Sequence, residues 1–186
     1  MWLMSGRRFV LFAFAVALLL SACGSDEVLP TEYVAGLNEL VAVAASDLNG
    51  SLEVYEAITD PTIEDWATFV ERELAIRRVF VEEFGELDPP GSIVDVHQIF
   101  GEALDRGLAA TEALAAVTDT VEDPDEAQQT PEFAEYLAAN ADGSTRVCQE
   151  AQAKLDALAT STELLADEPW LPDLGLTMRA AFGCLG

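Results

Sequence analysis

Apolar residues recur at intervals of three and four along most of the chain, and proline or glycine interrupts the pattern at a few places. This spacing gives an α-helix one apolar face. No stretch of useful length shows the strict alternation that is typical of a strand. Four long segments with short connections therefore predict an all-α fold, an up-down-up-down four-helix bundle with short extra helices near the C-terminus.

The ends of the helices can be predicted from capping residues. Asp60 followed by Pro61 predicts the N-cap and first turn of the second helix. Ser144 predicts the N-cap of the fourth, after a shorter helix that ends near Gly143, and residues 119–130 are expected to form the longest irregular segment. The long helices are predicted over residues 31–58, 61–87, 92–121 and 144–165, and the shorter ones over 132–139 and 176–182.

The first 23 residues differ from the rest of the chain. Two arginines precede twelve uninterrupted apolar residues, Phe9 to Leu20, and small residues follow before Cys23. A basic start, a short apolar centre and small residues at the exit are typical of an export signal. Spanning a bilayer takes about 20 apolar residues. The run is therefore too short to be a membrane anchor, and another feature must hold the exported protein.

The residues Leu20-Ser21-Ala22-Cys23 resemble the lipobox of bacterial lipoproteins, which have a type II signal peptide. The resemblance implies cleavage before Cys23, a diacylglyceryl group on its sulfur, and a location at the extracytoplasmic face of the cell membrane. Two acyl chains suffice for stable anchoring where one is marginal. An ordinary secretory signal with a chance cysteine is the alternative. The resemblance ends at Cys23, and the mature domain resembles no family that we recognise. The expected parts are a signal peptide (1–22), a lipidated tether (23–30) and a single helical-bundle domain (31–186).

The charge of the chain limits its partners. The whole sequence has nine basic and 34 acidic residues, and the first 22 residues contain two arginines and no acid. The mature chain therefore has seven basic residues and a net charge of −27. Nucleic acid is not an expected partner, because phosphate binding needs clustered lysine and arginine. Anionic lipid surfaces also repel such a body, so we expect the diacylglyceryl anchor to provide the attachment to the membrane.

Two cysteines remain when Cys23 is assigned to the lipid. Cys148 and Cys184 form an even pair outside the cytoplasm, which favours a disulfide. Closing so long a loop stabilises by about 4 kcal/mol in the chain-entropy model. The competing interpretation is a pair of thiolate metal ligands, but only His97 is present to join them, and zinc usually takes three or four protein ligands.

His97 is the only histidine, and it is a weak candidate for a metal ligand. A di-iron bundle needs two Glu-x-x-His motifs, but Val94 stands three residues before His97, and there is no Cys-x-x-Cys-His haem attachment. We therefore predict no metal and no cofactor, and expect His97 to be a hydrogen-bonded residue at the edge of a helix interface.

Two clusters of charge were considered as ligand sites. Arg72, Arg77 and Arg78 could form an anion-binding patch, although Glu73 lies four residues before Arg77 in the order that favours an ion pair. Residues 122–126 contain four carboxylates, a composition that could hold a loosely bound calcium ion. For both clusters the preferred interpretation is a solvated, charged surface.

The predicted function is a non-catalytic interaction or accessory module of the cell envelope. The alternative is a small-molecule or metal-binding bundle with a ligand near His97, Trp66 or Met178, where small residues of the third helix such as Ala103 and Gly107 leave room. An enzyme is not expected, because the single histidine has no identifiable nucleophile partner.

Overall fold

The computed structural model describes residues 30–161. The signal peptide, Cys23 and most of the tether precede this range, and Met178, the predicted helix 176–182 and Cys184 follow it. No helix within the described range is both long enough and apolar enough to cross a membrane.

The described chain is helical, and its helices form four rods. A 3₁₀ turn, Gly91–Ile93, leads into the third rod. The π-helix Gly143–Val147 joins two α-helices without a break, so that together they form the fourth. The α-helices are α1 (Pro30–Glu56), α2 (Ile63–Glu86), α3 (Val94–Val117), α4 (Pro124–Ala127), α5 (Pro131–Asp142) and α6 (Cys148–Ser161).

The rods pack as a four-helix bundle. α1 runs along α2, α2 along α3, and α3 along both α5 and α6. The start of α1, at Tyr33, lies with the end of α2, at Phe84, and the end of α1, at Tyr55, lies with the start of α2, at Trp66. Successive rods are thus antiparallel. The predicted all-α, up-down-up-down bundle is confirmed. The predicted short helix 132–139 is part of α5 in the fourth rod.

The predicted start of α2 is wrong by two residues. Asp60 has a positive φ of 57° and is not the N-cap. Thr62 is the cap: its hydroxyl accepts from the Asp65 backbone N–H at 3.3 Å, and the Asp65 carboxylate accepts from the Thr62 N–H at 2.9 Å. These reciprocal bonds satisfy two backbone donors, one more than a single capping side chain does.

The predicted break at Gly143 is also wrong, since the chain continues through the π-helix and Ser144 lies inside it. Val147, Ala151 and Leu155 continue one buried apolar stripe across the junction. Most helical stability in proteins comes from such packing rather than from propensity. Burial of this stripe therefore explains why the rod persists past a glycine.

One end of the bundle holds a core that we call the Phe100 core. It is closed by large side chains from all four rods, and a fully buried Phe100 lies within it. Its buried members are Tyr33, Val34, Leu37, Leu40, Phe84, Ile93, Val96, Phe100, Val147, Ala151 and Leu155.

The other end holds a second core, the Trp66 core, which is built largely from rings. Trp66 packs edge-on against Tyr55 at 5.6 Å between ring centroids, and Phe69 stacks on Tyr55 at 5.0 Å. Its buried members are Trp66, Val70, Leu114 and Ala127. The two cores leave the middle of the bundle between them.

Candidate functional site

A cavity of about 270 Å³ lies in the middle of the bundle, between α1, α2, α3 and α5. The cavity exists because several positions that face each other carry small side chains. In addition, α1 packs closely against α2 but lies further from α3 and α5. The wall is apolar except for two residues, Arg77 and Asn140. The lining residues are Val41, Ala44, Ala45, Leu48, Ile76, Arg77, Phe80, Val81, Ala103, Leu104, Gly107, Ala139 and Asn140.

Arg77 enters this wall as half of a buried ion pair. Its Nε donates to Glu73 Oε1 at 2.8 Å, and its Nη2 lies 2.7 Å from the same oxygen. The side chain of Glu73 is only 6% exposed and that of Arg77 is 23% exposed. Both residues project from one face of α2, four residues apart, so the helix itself positions the pair.

Tyr136 of α5 completes the shell around the carboxylate. Its hydroxyl lies 2.8 Å from Glu73 Oε1 and 3.1 Å from Oε2, and donates to this carboxylate. Burial, and then the charge and hydrogen bond of Glu73, raise the pKa of Tyr136 to about 12. The phenol is therefore a donor at neutral pH, and it stabilises the negative charge of Glu73.

Asn140, one turn further along α5, holds the other side of the guanidinium. Its Oδ1 accepts from Arg77 Nη2 at 2.9 Å, while its Nδ2 donates to the Tyr136 carbonyl oxygen at 2.8 Å. The guanidinium carbon also lies 5.8 Å from the centre of the Tyr136 ring, within cation–π range. The orientation of Arg77 is thus fixed from two helices.

The remaining nitrogen of the guanidinium, Nη1, lies beside Gly107. A Cβ at Gly107 would lie 3.2 Å from Nη1, so the absence of a side chain at this position makes room for the guanidinium group. Within residues 30–161, no protein group accepts a hydrogen bond from Nη1. The buried side-chain nitrogens and oxygens without a partner in this range are Ser51 Oγ and Trp66 Nε1. Nη1 is therefore open to solvent, and two N–H donors are available at the cavity wall.

The prediction that the arginines are solvated is confirmed for the ion pair of Arg78 and is wrong for the ion pair of Arg77. Arg78 pairs with Glu112 at 2.9 Å, and both side chains are about half exposed. The predicted pairing of Glu73 and Arg77 is confirmed, but its solvation is wrong, because the pair is drawn into the bundle. Spacing could have revealed this, since both residues fall on the apolar stripe that runs through Trp66.

The predicted room beside the third helix is confirmed, but two of its three predicted neighbours are wrong. Ala103 and Gly107 of α3 line the cavity. Neither His97 nor Trp66 does so, because each is packed into a core at one end of the bundle. Met178 lies outside the described residues.

His97 belongs to the boundary of the Phe100 core. Its Nδ1 is 2.9 Å from the Tyr33 hydroxyl, and its ring stacks on Phe84 with centroids 4.3 Å apart. Burial lowers the pKa of His97 from its ordinary value, so the ring is neutral at pH 7. The expected role as a hydrogen-bonded interface residue is confirmed. No group of three or more potential metal ligands occurs in residues 30–161.

The acidic segment 122–126 is used mainly for helix capping. Asp123 Oδ1 accepts from the Glu126 backbone N–H at 2.8 Å and caps α4, while Glu126 Oε2 accepts from the Glu122 N–H at 2.8 Å. The predicted irregular segment 119–130 therefore contains a short helix. Two of its carboxylates serve backbone donors.

The predicted disulfide has one member within the described range. Cys148 is the first residue of α6 and is partly buried. Cys184 lies outside the described residues, as does the lipidation site Cys23. Both the disulfide and the lipidation stay predictions.

The fold and the cavity define an all-α bundle with an internal site that is apolar on most sides and carries one fixed guanidinium. No protein-family model, curated protein or solved structure matches the chain. The function is therefore argued from the site itself and from the sequence.

Proposed function

We propose that this protein is a lipid-anchored, extracytoplasmic and non-catalytic module that binds a small molecule in its central cavity. The observation that carries the proposal is the open Nη1 edge of Arg77 in an otherwise apolar cavity. It favours the small-molecule alternative over the protein-interaction module that the sequence alone favoured.

The chemistry of the cavity is that of a binding site, and its volume lies just below the usual range for such sites. Ligand pockets are typically about 300–1,000 Å³, mostly apolar, with a few placed polar groups. An apolar cavity of about 150 Å³ holds benzene. A cavity of about 270 Å³ therefore suits a compact molecule roughly twice the size of benzene. Arg77 and Asn140 would set the orientation of this molecule.

The titratable groups of the site favour binding over catalysis. Glu73 accepts from Arg77 and Tyr136, so both of its oxygens are occupied. His97, the only base with an ordinary pKa near neutrality, lies in the Phe100 core and faces Tyr33. A general base must reach the proton that it abstracts, and no group at the cavity wall is placed to do so.

The anchor is proposed from the lipobox and the acidic charge of the mature chain. The seven residues that follow Cys23, up to Pro30, span at most roughly 25 Å when extended. α1 begins at Pro30, at the end of the bundle that holds the Phe100 core. This end would face the membrane, with the cavity further out.

Native mass spectrometry of the protein, extracted gently from its own membranes, tests both parts of the proposal. We expect a lipidated chain with a copurifying small molecule. Cys23→Ser should lose the lipid mass, and Ala139→Leu, which fills the cavity, should lose the small molecule but keep the lipid. Wild-type protein without a bound molecule, or a molecule that persists in Ala139→Leu, would contradict the cavity. A wild-type mass without lipid would contradict the anchor.

A second candidate function, docking of a protein partner, is favoured by an outer groove between α1 and α2, which shares Ala44, Ile76 and Phe80 with the wall of the cavity. Val43 and Val79 line this outer groove and are each 53% exposed, while Asp47 and Glu83 add negative charge. Amphipathic helices bind such grooves through their apolar face. The acidic groups select a partner helix that also carries basic residues.

This second candidate can be tested by photo-crosslinking in living cells. A crosslinking amino acid in place of Val79 should capture a peptide that forms a basic amphipathic helix. The same amino acid in place of Leu137, an apolar residue of α5 with similar exposure, should not. Capture at both positions, or of an acidic segment at Val79, would reject the groove as a docking site.

A further inference from the structure

We infer that the cavity is selective for an uncharged, largely apolar organic molecule that carries one hydrogen-bond-accepting oxygen. The inference rests on the proposed function, because it assigns a ligand class to the same cavity. It follows from the charge balance around Arg77, from the composition of the wall and from the position of Gly107.

The charge of Arg77 is already balanced. The Glu73 carboxylate accepts from Nε and lies against Nη2 of the guanidinium, and the Tyr136 hydroxyl donates to the same carboxylate. A carboxylate or phosphate ligand at Nη1 would add an uncompensated negative charge at a half-buried position. Burying an unpaired charge is unfavourable because its lost hydration is not replaced.

Within residues 30–161, no second cation at the cavity compensates for such a ligand. Among the lining residues in this range, Arg77 is the only basic one and Asn140 is the only other polar one. Arg78, the next residue along α2, points to Glu112 in an exposed ion pair. The mature chain has a net charge of −27, which adds a long-range repulsion of anions. Each of these terms disfavours an anionic ligand.

A neutral oxygen fits the free donors without this penalty. The N–H groups of Nη1 can donate to a ligand oxygen, and a hydrogen bond from a charged donor is stronger than one between neutral groups. A ketone, ester or ether oxygen supplies the acceptor and leaves the ion pair intact. The rest of the ligand should be apolar, because valine, leucine, isoleucine, phenylalanine and alanine side chains form most of the wall.

Gly107 leaves the N–H groups of Arg77 Nη1 accessible from the cavity. An alanine there would bring a methyl group within 3.2 Å of Nη1, so the guanidinium would have to move or its edge would be covered. Gly101 lies on the same helix, and its added methyl would meet Phe84 at an ordinary 3.7 Å. Gly107→Ala and Gly101→Ala therefore form a matched pair that separates the donor edge from a general effect of alanine in α3.

Three naphthalene probes of similar shape test the ligand class. Methyl naphthyl ketone has a neutral acceptor, naphthoate has the same number of non-hydrogen atoms and a negative charge, and ethylnaphthalene has no acceptor. Binding is measured by isothermal titration calorimetry at pH 7. The protein used is residues 23–186 with Cys23→Ser, so that no acyl chain or detergent competes for the probes.

We expect the ketone to bind roughly tenfold more tightly than either of the other probes, which corresponds to one hydrogen bond to a charged donor. Gly107→Ala should abolish this preference and Gly101→Ala should retain it. Glu73→Gln combined with Arg77→Met, which removes both charges together, should bind ethylnaphthalene as the parent chain does and should bind the ketone no better. Thermal melting by circular dichroism establishes that each variant is folded.

The alternative outcomes are distinguishable. Naphthoate binding as tightly as the ketone would overturn the uncharged class but leave the cavity as a site. Ethylnaphthalene binding as tightly as the ketone would overturn the role of Arg77. If none of the three probes bound the parent chain, both this inference and the proposed small-molecule function would fail. Unchanged preference in a folded Gly107→Ala variant would exclude Nη1 as the selecting group.

Discussion

The Phe100 core and the central cavity are formed by the same rods but differ in the volume of the side chains that face inward. In the Phe100 core, fully buried rings and branched chains such as Tyr33, Phe84 and Phe100 fill the space. In the middle of the bundle, alanines and Gly107 occupy facing positions, and the space stays open. Helical spacing thus determines that four rods pack together, and side-chain volume determines where the bundle is closed.

The two regions also differ in how they treat polar groups. The Phe100 core has a polar contact at its edge, between His97 and Tyr33. The middle contains a buried ion pair with two further side chains arranged around it. A buried ion pair is often no more stabilising than well-packed apolar residues of similar volume. We therefore interpret the Glu73–Arg77 pair as part of a site rather than as a source of stability.

The largest expected difference is between a phenylalanine inside the Phe100 core and one at the boundary between this core and the cavity. Phe100→Ala removes a fully buried ring and should lower the free energy of unfolding by about 3–5 kcal/mol, because it leaves a cavity that the core cannot fill. Phe80→Ala, at the half-buried cavity wall, should lower it by about 1–2 kcal/mol. Urea unfolding followed by circular dichroism measures both. Equal losses would show that the middle is as tightly packed as the end.

A second test compares two glutamates that each pair with an arginine. Glu73→Gln leaves the half-buried Arg77 without its counter-charge and should reduce the free energy of unfolding by about 2–3 kcal/mol. Glu112→Gln, at the exposed pair with Arg78, should change it by about 0.5 kcal/mol or less. Both variants reduce the net charge equally, so their difference isolates burial. Equal effects would mean that the Glu73–Arg77 pair is solvated after all.

The bundle could be predicted because its signal is local and repeated. Each rod shows apolar residues at intervals of three and four over many turns, and no strand pattern competes. The ends of the rods were less predictable. The Thr62–Asp65 capping box competes with Asp60 at the start of α2. The continuation past Gly143 depends on the burial of Val147 against other rods, which has no local signal.

Only part of the site could be predicted. The small residues Ala103 and Gly107 gave the correct expectation of room beside α3. The burial of Glu73 and Arg77 was missed, because most charged residues in so acidic a chain are solvated. That Tyr136 and Asn140 would meet this pair depends on the register of α5 against α2. A single sequence contains no local signal for that register.

A third test makes the same substitution, alanine to leucine, at two positions of the fourth rod. One position faces the cavity and the other faces the Phe100 core. Ala139→Leu adds volume to the cavity and should leave the free energy of unfolding unchanged or raise it by up to about 1 kcal/mol. Ala151→Leu adds the same volume to the Phe100 core and should lower it by about 1–3 kcal/mol through overpacking. Denaturant unfolding should therefore show a loss of stability for Ala151→Leu and no loss for Ala139→Leu. Two losses of similar size would indicate that the cavity closes in solution.

The smallest expected effect is the pH dependence that His97 gives to the Phe100 core. Burial lowers the pKa of His97 in the folded chain below its ordinary value of 6.5. As the pH falls below 6.5, the unfolded chain binds the proton first, so stability is full above this pH and declines towards the folded pKa. Between pH 7 and pH 5, His97→Gln should therefore lose less stability than the parent chain, as measured by thermal melting at each pH.

Tyr33→Phe, which keeps the ring and removes the hydroxyl that faces Nδ1, is the control. This variant should retain the decline in stability, because burial is the main cause of the lowered pKa. An identical pH profile for His97→Gln and the parent chain would show that the histidine is solvated, and that the Phe100 core is open at this edge.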